Sequence, residues 1–189
     1  DAGEPDSQVV EAERLSEVPD PSAAGWVITE WNTRADGSGD SITVDTDLAS
    51  VAAGPDATAY AIWERRTLSL DLSAATAESG DTVTLTATAN GAFGETVDAT
   101  PEAGFTSSED TDVIDGNTLV ATVAGERTVT AEFDDATATA ELTVTAGPLD
   151  TITLTPSSST VTQGGSVEFS VSGRDSAENT VEVDPADVV

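Results

Sequence analysis

The stretch Asp81-Thr82-Val83-Thr84-Leu85-Thr86-Ala87-Thr88-Ala89 alternates without a break between hydroxyl and apolar side chains. Successive side chains of a β-strand point to opposite faces, so Val83, Leu85, Ala87 and Ala89 share one face and the threonines the other. One buried face and one solvated face is the usual pattern of an antiparallel sheet. The same period runs outward from this stretch. Residues 67–72 place Leu68, Leu70 and Leu72 on one side, residues 127–133 place Val129, Ala131 and Phe133 inside, and residues 137–145 do the same with Ala138, Ala140, Leu142 and Val144. A further strand over 117–123 follows the turn-forming pair Asp115-Gly116. No window carries a helical period. Short strands separated by turn signals predict an all-β chain with a β-sandwich in its middle.

Shifting the chain by 84 positions aligns 68–101 with 152–185 without a gap. Leu70 falls on Leu154, Ser73 on Ser157, Thr76 on Thr160, Gly80 on Gly164, Val83 on Val167, and Thr96, Val97 and Pro101 on Thr180, Val181 and Pro185. A repeat of this length is a domain, and its second copy stops about halfway through the pattern of the first. That half is expected to need strands from elsewhere to close a core. The link Ala146-Gly147-Pro148 is too short for a flexible tether, so successive sandwiches are expected to stack stiffly. The first 66 residues differ: they hold Trp26, Trp31, Trp63 and Tyr60, with turn clusters at Pro19-Asp20-Pro21 and Asp36-Gly37-Ser38-Gly39. They read as a small separate domain whose core rests on a few large aromatics. The expected division is therefore 1–66, 67–146 and a partial domain over 147–189.

Composition narrows the chemistry. Thirty-six Asp and Glu face six Arg, with neither Lys nor His, for a formal charge of -30. Such a surface lacks the basic footprint that nucleic acid and anionic membranes require. Disorder is the other reading of an acidic chain, but apolar residues reach 38% and fall in ordered alternation. Like charges at this density repel one another in dilute buffer, whereas molar salt shortens the Debye length to about 3 Å. The imbalance therefore reads as adaptation to concentrated salt. Cysteine is absent, so no disulfide staples the domains. No apolar run approaches the roughly 18 residues of a membrane span.

Residues 68–146 resemble a bacterial immunoglobulin-like domain. The likeness is carried by Gly125-Glu-Arg-Thr-Val-Thr-Ala-Glu-Phe133 and Thr137-Ala-Thr-Ala-Glu-Leu-Thr-Val-Thr145, which match the family's last two strands. Residues 149–185 resemble the opening half of another such domain, through Leu149-Asp-Thr-Ile-Thr-Leu-Thr-Pro156, Gly164-Gly-Ser-Val167 and Arg174-Asp-Ser-Ala-Glu-Asn-Thr-Val181. Residues 3–64 resemble the internalin-type B-repeat, a small β-grasp-like module. The matching segments are Trp26-Val-Ile-Thr-Glu-Trp-Asn-Thr33, Ala35-Asp-Gly-Ser-Gly39 and Ala59-Tyr-Ala-Ile-Trp63. Glu30 stands where that family has Gly and Ala59 where it has Leu, and the family's first strand would precede Gly3. The chain thus reads as a portion of a longer multi-domain protein. The expected fold is all-β: a small β-grasp-like repeat followed by tandem immunoglobulin-like β-sandwiches.

The residue types present exclude most catalysis. Without His or Cys there is no Ser-His-Asp or Cys-His nucleophile and no ordinary zinc site, and without Lys there is no Schiff base or phosphate-loop cation. Paired carboxylates of the glycosidase kind arise by chance among so many acids, and aromatic sugar platforms are scarce. The chain is read as non-enzymatic and without a cofactor. The one metal candidate is calcium at Asp110, Asp112 and Asp115, where acids gather around Gly116; the spacing and closing Glu of an EF-hand are missing. A hairpin turn with a solvated acidic face is the favoured reading there, and a simple turn at Asp36-Gly-Ser-Gly-Asp40. Trp31 and Trp63 are read as core rather than as a ligand platform, and Phe105 as a buried sandwich position rather than an exposed contact. No N-glycosylation sequon occurs, while the Ser and Thr content leaves O-glycosylation open.

The resemblances imply a non-enzymatic structural or adhesive module: a stiff spacer on an external surface in high salt, in a cell-surface protein or appendage of a halophilic archaeon. The alternatives are a structural protein of a halophilic tailed virus, such as a turret, decoration or tail component, and a spacer within a carbohydrate-active enzyme. Expected partners are self-assembly contacts or neighbouring surface or virion proteins, with glycan or host-surface contact as a further option. Nucleic acid and membrane insertion within this segment are not expected.

Overall fold

The computed structural model describes residues 23–43, 46, 58–156 and 159–184. The turn cluster Pro19-Asp20-Pro21 and the repeat positions Ser157 and Pro185 lie outside them. Among the described residues the fold is all-β, with one 3-10 turn at Ala92–Gly94 and no α-helix. The chain gathers into two compact units. One comprises the described part of Asp1–Leu70 with Ala87–Gly104 and Ala131–Ala138; the other comprises Asp71–Thr86, Phe105–Thr130 and the described part of Thr139–Val189.

In the first unit, β1 (Trp26–Asn32) lies between β2 (Ser41–Ile42) and β3 (Tyr60–Arg65) in an antiparallel sheet. The register of β1 on β3 slips between Ile28 and Glu30, and the displaced Thr29 hydroxyl donates to the Ile62 carbonyl at 3.1 Å. Such a bulge shifts which residues face inward. Ile28 and Trp31 both reach the core, where Ile42, Ala59 and Ala61 surround them. The turn after β1 is organised by Asn32, which is buried. Its Oδ1 accepts from the amides of Arg34 and Gly39, both at 3.0 Å, and its Nδ2 donates to the Gly37 carbonyl at 3.2 Å. A Cβ on Gly39 would crowd Thr33 Oγ1 and Asn32 Oδ1, so any other residue here would have to displace the acceptors that hold the turn.

Nine strands follow: β4 (Leu68–Leu72), β5 (Thr76–Glu78), β6 (Thr82–Asn90), β7 (Thr96–Asp98), β8 (Gly104–Ser107), β9 (Val113–Asp115), β10 (Thr118–Val120), β11 (Gly125–Phe133) and β12 (Ala136–Thr145). They make two sheets, β4-β6-β10-β9 with β7 added on β6, and β5-β12-β11-β8. The inward faces read from the alternation are buried: Val83, Leu85, Ala87 and Ala89 on β6, Val129 and Ala131 on β11, Leu142 and Val144 on β12. Phe133 is half-buried instead, at the strand end, with the Arg66 guanidinium over its ring. The strand expected over 117–123 is shorter, because Gly116-Asn117 is occupied by the turn and the Ala121 carbonyl accepts from the Gly80 amide. Phe105 lies on β8 and is half-buried, between the buried position expected and an exposed one. β5 was not anticipated, and it pairs in parallel with β12, Thr76 opposite Thr143.

A last antiparallel sheet comprises β13 (Thr151–Thr155), β14 (Ser170–Arg174) and β15 (Thr180–Val181). Its pairing reproduces the shift of 84 to the residue. Asn90 opposite Thr96 and Ala89 opposite Val97 return as Arg174 opposite Thr180 and Gly173 opposite Val181.

Candidate functional site: the two junctions

The three acids considered for calcium part ways in the fold. Asp110 and Asp115 are exposed, and the Asp115 carbonyl accepts from the Thr118 hydroxyl at 2.8 Å. The Asp112 carboxylate is fully enclosed: Oδ1 pairs with Arg127 Nη1, and Oδ2 accepts from the Ser107 hydroxyl at 2.6 Å. Arg127 also donates through Nη2 to the Val123 carbonyl. Its Nε has no hydrogen-bond partner among the described residues. Asp112 therefore serves here as the counter-ion of a buried arginine. Among the described residues no three acids group as metal ligands. At Asp36 the carboxylate accepts from the Ser38 hydroxyl at 2.7 Å and the Ser38 amide at 3.1 Å, which lowers its pKa and closes a turn. Trp31 is buried in the small sheet's core and Trp63 packs half-buried against it.

The arginines mark what the sequence reading missed. In a chain with six cations, two of them, Arg65 and Arg66, are adjacent where the small sheet ends and β4 begins. Arg65 lies 4.5 Å from the centre of the Trp26 ring and Arg66 5.2 Å from that of Phe133. Stacking of this kind persists at high ionic strength better than an exposed ion pair does. Arg66 Nη1 also donates to the Asn90 carbonyl at 3.1 Å, and Nε sits 2.8 Å from Asp134 Oδ2 as an ion pair without hydrogen-bond alignment. Asn90 Oδ1 accepts from the Thr67 amide at 2.7 Å. Beside this clamp lies a cleft of about 470 Å³ lined by Trp26, Val97, Phe133 and Asp134. All these residues belong to the first compact unit.

The second junction is built on Asp175, which is buried in the turn between β14 and β15. Its carboxylate accepts four N–H groups: the amides of Gly147 at 2.8 Å, Ala177 at 2.9 Å and Asn179 at 2.8 Å, and Asn179 Nδ2 at 2.8 Å. Asn179 reaches onward, accepting from the Ala124 amide at 2.8 Å and donating to the Thr122 carbonyl at 2.7 Å. The linker glycine, the turn and the loop after β10 are thus tied within the second unit. The only sequence signal was a pair of short polar residues flanking a turn, Asp175 and Asn179, which commonly bond to nearby backbone.

Burial raises the Asp175 pKa, but the hydrogen bonds from the Asn179 side chain, the Gly147 amide and the amides of Asn179 and Ala177 outweigh it and bring it from 3.8 down to about 2. A depressed carboxylate pKa stabilises the folded form above the unfolded value, and that stability is lost as pH falls through the folded value. Amide exchange at Gly147, taken relative to an unstructured chain at the same pH, should therefore stay slow from neutral pH to near 3.8 and quicken between there and about 2. Asp175→Asn should quicken it at every pH, because one amide oxygen replaces a charged acceptor of four donors. Exchange measured by NMR that is unchanged down to pH 2, or unaffected by the substitution, would show that the carboxylate does not hold this junction.

No protein-family model and no curated protein matches this chain.

Proposed function

We propose that this chain is a non-enzymatic structural or adhesive module, an immunoglobulin-like spacer held stiff and displayed on an external surface in concentrated salt. The observation that carries the reading is the construction of its junctions. Each lies inside a compact unit and is closed by side-chain bonds to backbone, with no run of Gly and Ser to act as a tether. A binding or catalytic domain needs a converging constellation of reactive groups. Here the unusual side chains, Arg65, Arg66, Arg127 and Arg174 with the buried Asp175, are engaged with the protein itself.

Spin labels at Thr143 on β12 and Thr153 on β13, both exposed and both in the second unit, test the stiffness. In about 2 M NaCl, where screening is nearly complete, a single narrow distance distribution is expected, broadening in Asn179→Ala. A broad distribution in the unaltered chain would sink the spacer reading. The melting temperature should fall as NaCl is lowered to about 0.1 M, where carboxylate repulsion returns. A flat profile would remove the high-salt address while leaving the spacer standing.

A further inference from the structure

We infer that Asn90-Gly91 is a self-modification site gated by the junction at the end of β6. While the junction is closed, the Asn90 side-chain amide is kept intact. Once the junction opens, that amide converts through a cyclic imide to aspartate and isoaspartate, and the junction no longer closes. The reacting groups belong to the chain itself, whatever surface the module serves.

The chain has four asparagines. Asn32, Asn117 and Asn179 each precede Thr, and Asn90 alone precedes Gly. Lacking a Cβ, glycine leaves its nitrogen open to approach by the preceding side chain. In the reaction the Gly91 nitrogen gives its proton to solvent base and bonds to Asn90 Cγ. The Cγ–Nδ2 bond breaks, and Nδ2 departs as ammonia. Water then opens the five-membered imide at either carbonyl, yielding aspartate or isoaspartate. Water is the only co-reactant, and nothing is oxidised or reduced.

The fold uses both residues of this labile pair. Asn90 acts as acceptor and donor at once: Oδ1 accepts from the Thr67 amide at 2.7 Å, and Nδ2 donates to the Arg65 carbonyl at 3.3 Å. A carboxylate could only accept. Gly91 is buried, and a Cβ there would crowd Val97 Cγ2, so a larger residue would have to displace that β7 side chain.

The closed junction withholds each requirement of the reaction. The nucleophile is engaged, because the Gly91 amide donates to the Glu95 carbonyl at 2.7 Å. The electrophile is pinned through Oδ1 and Nδ2. The backbone between them is fixed as well: the Asn90 amide donates to the Thr67 carbonyl at 3.3 Å, and the Asn90 carbonyl accepts from Arg66 Nη1 at 3.1 Å. Ring closure requires Asn90 to turn out of its strand conformation. That rotation swings the one peptide unit carrying both the Asn90 carbonyl and the Gly91 amide away from Arg66 and Glu95. Conversion therefore follows the population of the opened junction.

In the products the latch is lost. Aspartate sets a carboxylate oxygen against the Arg65 carbonyl where Nδ2 had donated. Isoaspartate adds a methylene to the main chain where Asn90 faces Thr96, which breaks the register of β6 on β7. A transient opening thus becomes an irreversible one.

The test incubates the 189-residue chain at mildly alkaline pH in about 2 M NaCl, beside a synthetic peptide of residues 86–95. Peptide mapping by mass spectrometry reads conversion at Asn90. The folded chain is expected to convert at least tenfold more slowly than the peptide. Arg66→Met, which frees the Asn90 carbonyl, should raise the rate, and amide exchange at Gly91 should rise with it. If that variant fails to fold, urea below the unfolding transition replaces it, and the two rates of the unaltered chain should climb together. The isoaspartate chain, purified and returned to the same buffer, should have lost slow exchange at the Thr67 amide. Equal rates in chain and peptide overturn the proposal, as does conversion that stays constant while Gly91 exchange quickens. Undiminished protection of Thr67 in the isoaspartate chain overturns it equally, since the junction would then close over the modification.

Discussion

Replacing Arg127 with methionine should cost the fold about 3–5 kcal/mol, because removing one partner of a buried ion pair leaves the other charge without compensation. The stranded group is the Asp112 carboxylate, whose side chain is 0% exposed and which would keep only the Ser107 hydroxyl as donor. The Val123 carbonyl loses its guanidinium donor as well. The double substitution Arg127→Met with Asp112→Leu should recover most of that loss, since a well-packed apolar pair of similar volume often matches or exceeds a buried ion pair. Denaturant midpoints of the two single variants and the double variant, measured at one fixed salt concentration, give the coupling. Additive losses would show that the two residues act independently. The pair is shielded from solvent, so the coupling should change little between low and molar salt, in contrast to the exposed carboxylates.

Trp31→Ala should remove about 3–5 kcal/mol from the first compact unit, the range for truncating a buried Trp or Phe. The cluster it anchors is small: Ile28, Ile42, Ala59 and Ala61 are its other buried members, and two of these are alanines. Outside these, among the described residues, only the half-buried Trp63 and Ala92 pack against the cluster, and a three-stranded sheet has little else to hold it. The expected result is loss of the β1-β2-β3 pairing, seen as exchange of the Trp26, Ile28 and Ala61 amides, while β9 and β10 in the second unit keep theirs. Uniform destabilisation of both units would show that they unfold as one. Retained protection at Ile28 and Ala61 would show that Trp31 is not the anchor of its sheet.

Strand positions and inward faces were legible because they depend on a period of two within single segments. Val83, Leu85, Val129, Leu142 and Val144 declare their side by their neighbours alone. The 84-residue shift was legible for the same reason, since each copy writes the same alternation. β5, β7, β8 and β9 were missed because three or four residues are too few to establish a period. The candidate acids were legible as a cluster in sequence, yet the enclosure of Asp112 depends on Arg127, fifteen residues away.

The residues alone carry the class of the chain: all-β segments, their solvated and buried faces, the internal repeat, and the near absence of cations. Those properties rest on local alternation and composition, which need no knowledge of distant contacts. The folded arrangement was needed to see how the scarce arginines are used, how Asp175 ties Gly147 to the turn at Asn179, and that Leu154 and Phe169 stand open where Leu70 and Leu85 are closed. The physical reason is that burial and hydrogen-bond partnership belong to pairs of segments. Two copies with the same alternation can differ entirely in what covers them.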